Sequence, residues 1–362
     1  MQNLVNDTPQ PKRNYAFVDS IRCICMMSIV MEHATNFSDG MYHPKSAMEA
    51  NIFSFITQFG KFGTIGFFLL AGFLIGEKFT DYTPGQYLKR RLDSTFIPWL
   101  FWTTVFLLTL LIDDFIRITR FNHGVIPPEF HDKLMWQLSI VYLYSSFWFI
   151  PNFLICITIL LMFKKHLYNK WFGAILLGFT LLYAVNIYTE TIQPRHSTAI
   201  LGFVFFLWLG AQFNQKLDAL EKWISGTSYT LWIVLCIVTL LLGMYEAEIL
   251  KGMNSVDPFN TLRVSNILYS LACFFLLLRI KQFNFVKFLK PRETTYGIYL
   301  LQTVIVSSIL PLIFKPLKYS WESLSFPMVL GFLLLRTVLT YFLAYFLVRL
   351  LNASKLKWIV GR

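Results

Sequence analysis

The chain is poor in charge. Only 14% of its 362 residues are Asp, Glu, Lys or Arg, while 56% are hydrophobic. Soluble domains carry about 25% charged residues, so an ordinary water-soluble globule is excluded. No polar block is long enough to form a soluble domain. A single membrane domain spanning 1–362 is therefore expected, with a polar tail at 1–15 and no appended soluble domain. Cysteine is scarce too: Cys23, Cys25, Cys156, Cys236 and Cys273 all sit inside apolar runs, which argues for packing and against a disulfide framework. Cys23 and Cys25 are two apart and point to different faces of a helix, so they make no metal pair. His43, His123, His131, His166 and His196 lie in or beside loops, and there is neither an H-E-x-x-H pattern nor a Cys/His cluster. No metal site and no permanently bound cofactor is expected. Gly-x-Gly-x-x-Gly and phosphate-loop patterns, internal repeats and low-complexity tracts are also missing, as is a small-residue cleavage site after the first apolar run, which is therefore read as a retained helix.

What is present is a series of apolar runs of about 20 residues, the length that crosses a hydrocarbon core as a helix. They fall at 16–35, 53–76, 95–113, 138–163, 171–188, 198–213, 228–246, 262–280, 295–314 and 328–350. An all-α, polytopic membrane protein of about ten transmembrane helices follows. With the N-terminus inside, 20 Lys and Arg residues fall on the cytoplasmic side and nine on the other. This asymmetry places both termini in the cytoplasm. It also gives the net charge of +12 a topological origin, so nucleic acid is not needed as a partner.

The first run, DSIRCICMMSIVMEH at residues 19–33, carries four ionisable residues: Asp19, Arg22, Glu32 and His33. Arg22 and His33 are eleven residues apart, about three turns and about 16 Å along a helix, and share one face at two depths. Asp19 lies one turn before Arg22 and can pair with it. A charge within a span costs about 2.5–3.5 kcal/mol on insertion scales and faces the bundle interior or a wet cavity. The stripe is therefore a candidate site, although Arg22 also fits a snorkelling interfacial anchor and His33 a hydrated helix end.

Arg, ten residues, then His on the first membrane helix resembles the signature of the acyltransferase-3 superfamily, membrane O-acyltransferases of bacterial surface glycans and lipids. KFGTIGFFLLAGFLIG in the second run resembles the family's FF-x-x-S-G-F-L segment through Phe67, Phe68, Gly72, Phe73 and Leu74. YLKRRLDSTFIPWLFW is similar to its basic stretch followed by I-P-Y-L-F-W, through Lys89, Arg90, Arg91, Pro98, Phe101 and Trp102. FWFIPNFLI and TYGIYLLQ resemble the segments that open the fourth and ninth spans. Ala71 stands where the family usually shows Ser, Ser94 and Thr95 at positions often basic, Asn152 where Asp is common, and Gln302 where His is common.

The resemblance implies a multi-pass protein of the bacterial cytoplasmic membrane. It would move an acyl group, in the first instance acetyl, from cytoplasmic acyl-CoA to a hydroxyl of a glycan or glycolipid. His33 would be the base, because a neutral imidazole takes a proton near neutral pH. Arg22, oriented by Asp19, would position the donor or stabilise negative charge. Glu32 either supports the imidazolium or is a solvated helix-end charge. Lys89, Arg90 and Arg91 either bind the donor's phosphates or reflect positive-inside topology alone. Lys61 either contacts the acceptor opposite His33 or snorkels, and Trp148 either stacks on a sugar or anchors at the interface. Gly60, Gly63 and Gly66 permit close helix approach beside Lys61. A transporter or flippase using the same polar helix is the alternative, and it calls for paired repeats or interrupted helices that the sequence does not display.

Overall fold

In a computed structural model of the chain, the described residues are 15–35, 42–78, 82–121, 125–315 and 323–362. The polar tail, apart from Tyr15, lies outside them, as do His123 and Lys318. Among the described residues the fold is all-helical. Sixteen α-helices follow in chain order: α1 Ala16–Thr35, α2 Ala47–Gly60, α3 Gly63–Lys78, α4 Pro84–Arg91, α5 Ile97–Phe121, α6 Phe130–Ser139, α7 Phe149–Met162, α8 Lys170–Thr189, α9 Ile200–Gln215, α10 Leu217–Ser225, α11 Tyr229–Gly252, α12 Val264–Ile280, α13 Val286–Leu289, α14 Pro291–Val304, α15 Leu310–Phe314 and α16 Phe326–Asn352.

Each of the ten runs predicted from sequence is helical, but the structure divides them into kinds. Among the described residues, six helical stretches are long and apolar enough to cross a membrane: Ala47–Glu77, Pro84–Arg120, Lys170–Thr189, Tyr229–Gly252, Pro291–Phe314 and Phe326–Asn352. A seventh would be the pair Phe130–Tyr144 and Ser146–Met162, which covers the single run expected at 138–163 and bends by 52°. The bend has a local cause. A π-helical turn over Ile140–Tyr144 ends at Ser145, whose backbone is extended (φ −74°, ψ 172°) and whose hydroxyl accepts from the Phe147 amide at 3.3 Å. Two more apolar helices, α9 and α12, have 16 and 17 residues. The remaining run, α1, has the length but carries Asp19, Arg22 and Glu32.

The buried charge of α1 is tolerable because α1 runs through the middle of the fold. Its Phe17, Val18, Ile21 and Cys25 belong to an apolar core shared with α3, α7, α9 and α12. Its Met26 and Val30 belong to a second core, shared with α5, α14 and α16. Helices packed this closely need small residues where backbones meet. A Cβ on Gly63 would lie 2.6 Å from the Cys25 carbonyl oxygen, and one on Gly66 2.5 Å from the Cys25 sulfur, so α3 lies directly on α1. By contrast α8 and α11 leave Leu181, Leu182, Val185, Ile233, Val234, Ile237 and Leu241 exposed, the faces of helices whose solvent is lipid.

Arg263, one of the nine cations that the charge count assigns to the outer side, is not in water. It is fully buried, donating to the Gly243 carbonyl and to Gln58 Oε1, each at 2.5 Å, and to the Asn260 carbonyl at 3.2 Å. A guanidinium whose donors are met by fixed oxygens can stay inside as a cross-link between α2, α11 and the start of α12.

Candidate functional site

Three of the four ionisable residues of the α1 stripe, Arg22, Glu32 and His33, line one cavity of about 1770 Å³. Arg22 lines it near the helix start, and Glu32 and His33 line it near the helix end. Both depths of the stripe therefore line the same cavity.

At the Arg22 end, Asp19 is an anchor for two cations. Arg22 Nη1 donates to Asp19 Oδ1 at 3.0 Å, and Arg292 Nε donates to Asp19 Oδ2 at 2.9 Å and to Oδ1 at 3.0 Å. Arg292 enters here because Pro291 opens α14 directly after Lys290, which the chain turns through a left-handed conformation (φ 45°, ψ 59°). Arg91 also lines the cavity, close enough to Arg22 to act on it electrostatically. Of the predicted basic trio, only Arg91 reaches the cavity. Arg91 donates to the Tyr87 hydroxyl at 3.0 Å, Arg90 donates to the Tyr82 hydroxyl at 2.5 Å with its guanidinium over that ring, and Lys89 is exposed. The α4 helix that carries them is held by a Thr83–Gln86 capping box with Pro84 at its first turn. A second π-helical turn, Leu92–Phe96, joins α4 to α5 and turns Ser94 and Thr95 toward the cavity. Tyr296, at the start of α14, donates to the Thr95 carbonyl and so ties the start of α5 to this end.

The opposite end is built around a break between α2 and α3 at residues 61 and 62. Ser28 on α1 donates to the Gly60 carbonyl at 2.6 Å, which satisfies a helix-end acceptor and sets Lys61 beside α1. Lys61 Nζ meets Glu32 Oε1 at 2.6 Å, with their side chains only 9% and 13% exposed. The solvated reading of Glu32 and the snorkelling reading of Lys61 are both overturned: the two residues are buried against each other. His33, one residue on, faces the same cavity, and its ring has no hydrogen-bond partner among the described residues.

A second histidine completes this end. His196, in the segment between α8 and α9, has its Nδ1 3.7 Å from Asp257 Oδ2 and its Nε2 2.8 Å from the Thr261 hydroxyl. The Trp148 indole stacks on its ring, with centroids 4.8 Å apart and planes at 28°. Burial holds His196 below the usual histidine range, against the opposing pull of Asp257. Its segment is pinned from two sides. Asn152 of α7 donates to the His196 carbonyl at 3.1 Å, and Asn260 donates to the Pro194 carbonyl at 2.7 Å. Trp148, Asp257 and Thr261 all line the cavity. Arg336, deep in α16, is buried and lines it as well.

Across residues 15–353 the chain matches the sequence model of the acyltransferase-3 family, described as an acyltransferase domain. The chain belongs to that family. None of the curated proteins and none of the solved structures matches it. As an acyltransferase-3 protein with six long apolar helices, the chain is a multi-pass membrane acyltransferase. Among the described residues no group of His, Cys, Asp and Glu is arranged to hold a metal ion.

Of the residues singled out in the sequence, the structure gathers Asp19, Arg22, Glu32, His33, Lys61, Arg91 and Trp148 around the cavity, Asp19 through its bonds to the two arginines. It leaves Lys89 and Arg90 outside. Arg292, His196, Asp257 and Thr261 were not singled out. Arg292 had a usable signal, since it stands four residues before the TYGIY motif residue Tyr296. His196 and Asp257 are 61 residues apart in loops, and no spacing rule connects them.

Proposed function

We propose that the protein transfers an acyl group, most simply acetyl, from acyl-CoA to a hydroxyl of a carbohydrate or glycolipid at a bacterial cytoplasmic membrane. The observation that supports this reading is the single cavity that opens to both Arg22 and His33. The positive-inside count puts the Arg22 end toward the cytoplasm, where acyl-CoA is made, and the His33 end toward the outer face.

The division of labour follows from distance. Arg22 and His33 are separated by about 16 Å along α1, so they cannot act on the same carbonyl. Arg22, Arg91 and Arg292 form a basic end suited to the phosphates of the donor, with Asp19 holding two of the guanidinium groups in place. The thioester extends from there toward His33. The acceptor hydroxyl gives its proton to the neutral His33 imidazole as its oxygen attacks the thioester carbonyl. The new C–O bond forms, the C–S bond breaks, and the departing CoA thiolate takes the proton from the imidazolium, which restores the base. The Glu32–Lys61 pair supplies a fixed polar wall beside the reacting atoms.

Purified protein with labelled acetyl-CoA provides the test, reading transfer to glycan acceptors and thioester hydrolysis together. General-base catalysis contributes about 10²–10⁴-fold, so His33→Ala is expected to lower turnover by at least about 100-fold. Arg22→Ala is expected to raise the KM for acetyl-CoA. Turnover that stays at the wild-type level in both variants would overturn the assignment.

A further inference from the structure

The cavity has an arm that the transfer chemistry does not use. On the His33 side it is bounded by α5, the bend after α6, the α14–α15 junction and α16, with Phe106, Leu110, Ile140, Leu310, Phe314 and Phe332 lining it and Ser307, Lys315 and Arg336 among them. Its place along the bundle is fixed by contacts already described. Arg292 at the start of α14 lies beside Asp19, and Tyr296 joins the start of α5, so the later residues of both helices run toward the His33 end. Two π-helical turns, Ile140–Tyr144 and Ile305–Ile309, border this arm and break the regular helix wall. The aromatic and aliphatic part of this lining selects apolar ligand surface.

Where this arm meets the polar end stands a cation of unusual setting. The Arg195 guanidinium lies 3.7 Å from the centroid of the Tyr144 ring, and Tyr144 in turn packs on Trp136 at 5.7 Å. Arg195, Tyr144 and Trp136 all line the cavity. Arg195 Nη1 is buried with no hydrogen-bond partner among the described residues. Leaving a charged donor unmet costs free energy, so an acceptor of negative charge is expected to meet it. Arg195 is next in sequence to His196, which stacks on Trp148, so this donor stands beside the polar cluster that contains His33 and Lys61.

We propose, building on the acyltransferase reading, that the acceptor is a lipid-linked sugar phosphate. Its hydrocarbon chain lies in the apolar arm, its phosphate on Arg195, and its sugar against His196 and Trp148 with one hydroxyl at His33. The occupant is amphiphilic because the site is: a largely aromatic and aliphatic arm joined to a guanidinium with one unmet nitrogen and then to a polar cluster.

Binding to the full-length protein in detergent tests this without knowledge of the sugar. The probes are fluorescent polyprenyl phosphate, with unlabelled polyprenol, inorganic phosphate and a long-chain acyl-CoA as competitors. Polyprenyl phosphate is expected to bind at least tenfold more tightly than polyprenol or inorganic phosphate. Arg195→Gln is expected to weaken it about tenfold, and Arg195→Lys to recover part of that loss. Ser307→Trp, which fills the arm from a residue exposed within it, is expected to weaken polyprenyl phosphate and polyprenol alike. Unchanged binding in both Arg195→Gln and Ser307→Trp would overturn the proposal. So would long-chain acyl-CoA competing for the arm in a Ser307→Trp-sensitive way, because the arm would then belong to the donor. Acetyl-CoA turnover that persists while polyprenyl phosphate fails to bind would remove this inference and leave the acyltransferase reading standing. Polyprenyl phosphate binding with no acetyl-CoA turnover would do the reverse.

Discussion

The Glu32–Lys61 pair offers the sharpest separation of structural from chemical roles. Lys61→Met removes the ammonium but keeps the length of the side chain, and it leaves Glu32 facing an apolar sulfur where a cation stood 2.6 Å away. Breaking a buried pair by removing one partner typically costs about 3–5 kcal/mol, because the survivor is left uncompensated. Both side chains are slightly exposed to the cavity, so water can reach the carboxylate, and the lower end, about 3 kcal/mol, is the expected loss. Removing both charges with Glu32→Gln and Lys61→Met together is expected to recover most of it, since an amide beside a thioether leaves no buried net charge. A double-mutant cycle in detergent, read by unfolding of the purified protein, yields the coupling term directly. Recovery of stability without recovery of turnover would show that the pair also serves the chemistry next to His33. A single variant that loses less than about 1 kcal/mol, or a double variant no more stable than the worse single, would refute the description of this pair as a buried ion pair.

Two further outcomes follow from the packing and from the basic end. At the α3–α9 crossing a Cβ on Gly72 would lie 2.0 Å from the Leu207 carbonyl oxygen, and one on Gly210 2.0 Å from that of Leu69. Because the obstacle is backbone, Gly72→Ala is expected to lose at least the 1–3 kcal/mol typical of overpacking, read as reduced yield and a lower unfolding temperature, whereas Gly178→Ala, with open space around it, is expected to be tolerated. Arg91→Ala is expected to raise the KM for acetyl-CoA several-fold, while Arg90→Ala, whose guanidinium is held on Tyr82 away from the cavity, is expected to change it little; equal effects would mean that the trio acts only as general positive charge.

The stripe on α1 was legible because helical periodicity converts residue spacing directly into a shared face. Arg22 and His33 needed no partner to be placed on that face. Glu32 and Lys61 were not legible as a pair: their contact depends on a helix break at residues 61 and 62 and on Ser28 meeting the Gly60 carbonyl across two helices. Periodicity smooths over such breaks, which is also why residues 138–163 read as one straight helix. The π-helical turns at residues 92–96, 140–144 and 305–309 were invisible for the same reason, since one extra residue in a turn leaves the hydropathy of the segment unchanged. Burial of Arg263 was missed because hydropathy assigns a loop cation to water, while the oxygens that hold it come from residues 58, 243 and 260. His196 and Asp257 lay beyond any local rule, and only the tertiary fold brings them to His33.

The size of the cavity bears on the order of events. Sites for single small ligands run to about 300–1,000 Å³, and this one holds about 1770 Å³. It is therefore large enough for two ligands together, in the proposed reaction a donor at Arg22, Arg91 and Arg292 and an acceptor at His33. With both present in that reaction, attack on the thioester needs no acyl-enzyme, and His33 would take the acceptor proton. Direct transfer predicts that initial rates, measured against acetyl-CoA at several fixed acceptor concentrations, plot as intersecting double-reciprocal lines. It also predicts that acceptor occupancy changes the apparent affinity for the donor, because the two share one space. Parallel lines, with labelled acetyl retained on the protein after acetyl-CoA alone is removed, would mean that a cavity hydroxyl such as Ser146 or Thr303 carries the acyl group between two half-reactions. Those two hydroxyls are hydrogen-bonded to each other and not to His33, and that pairing favours the direct route.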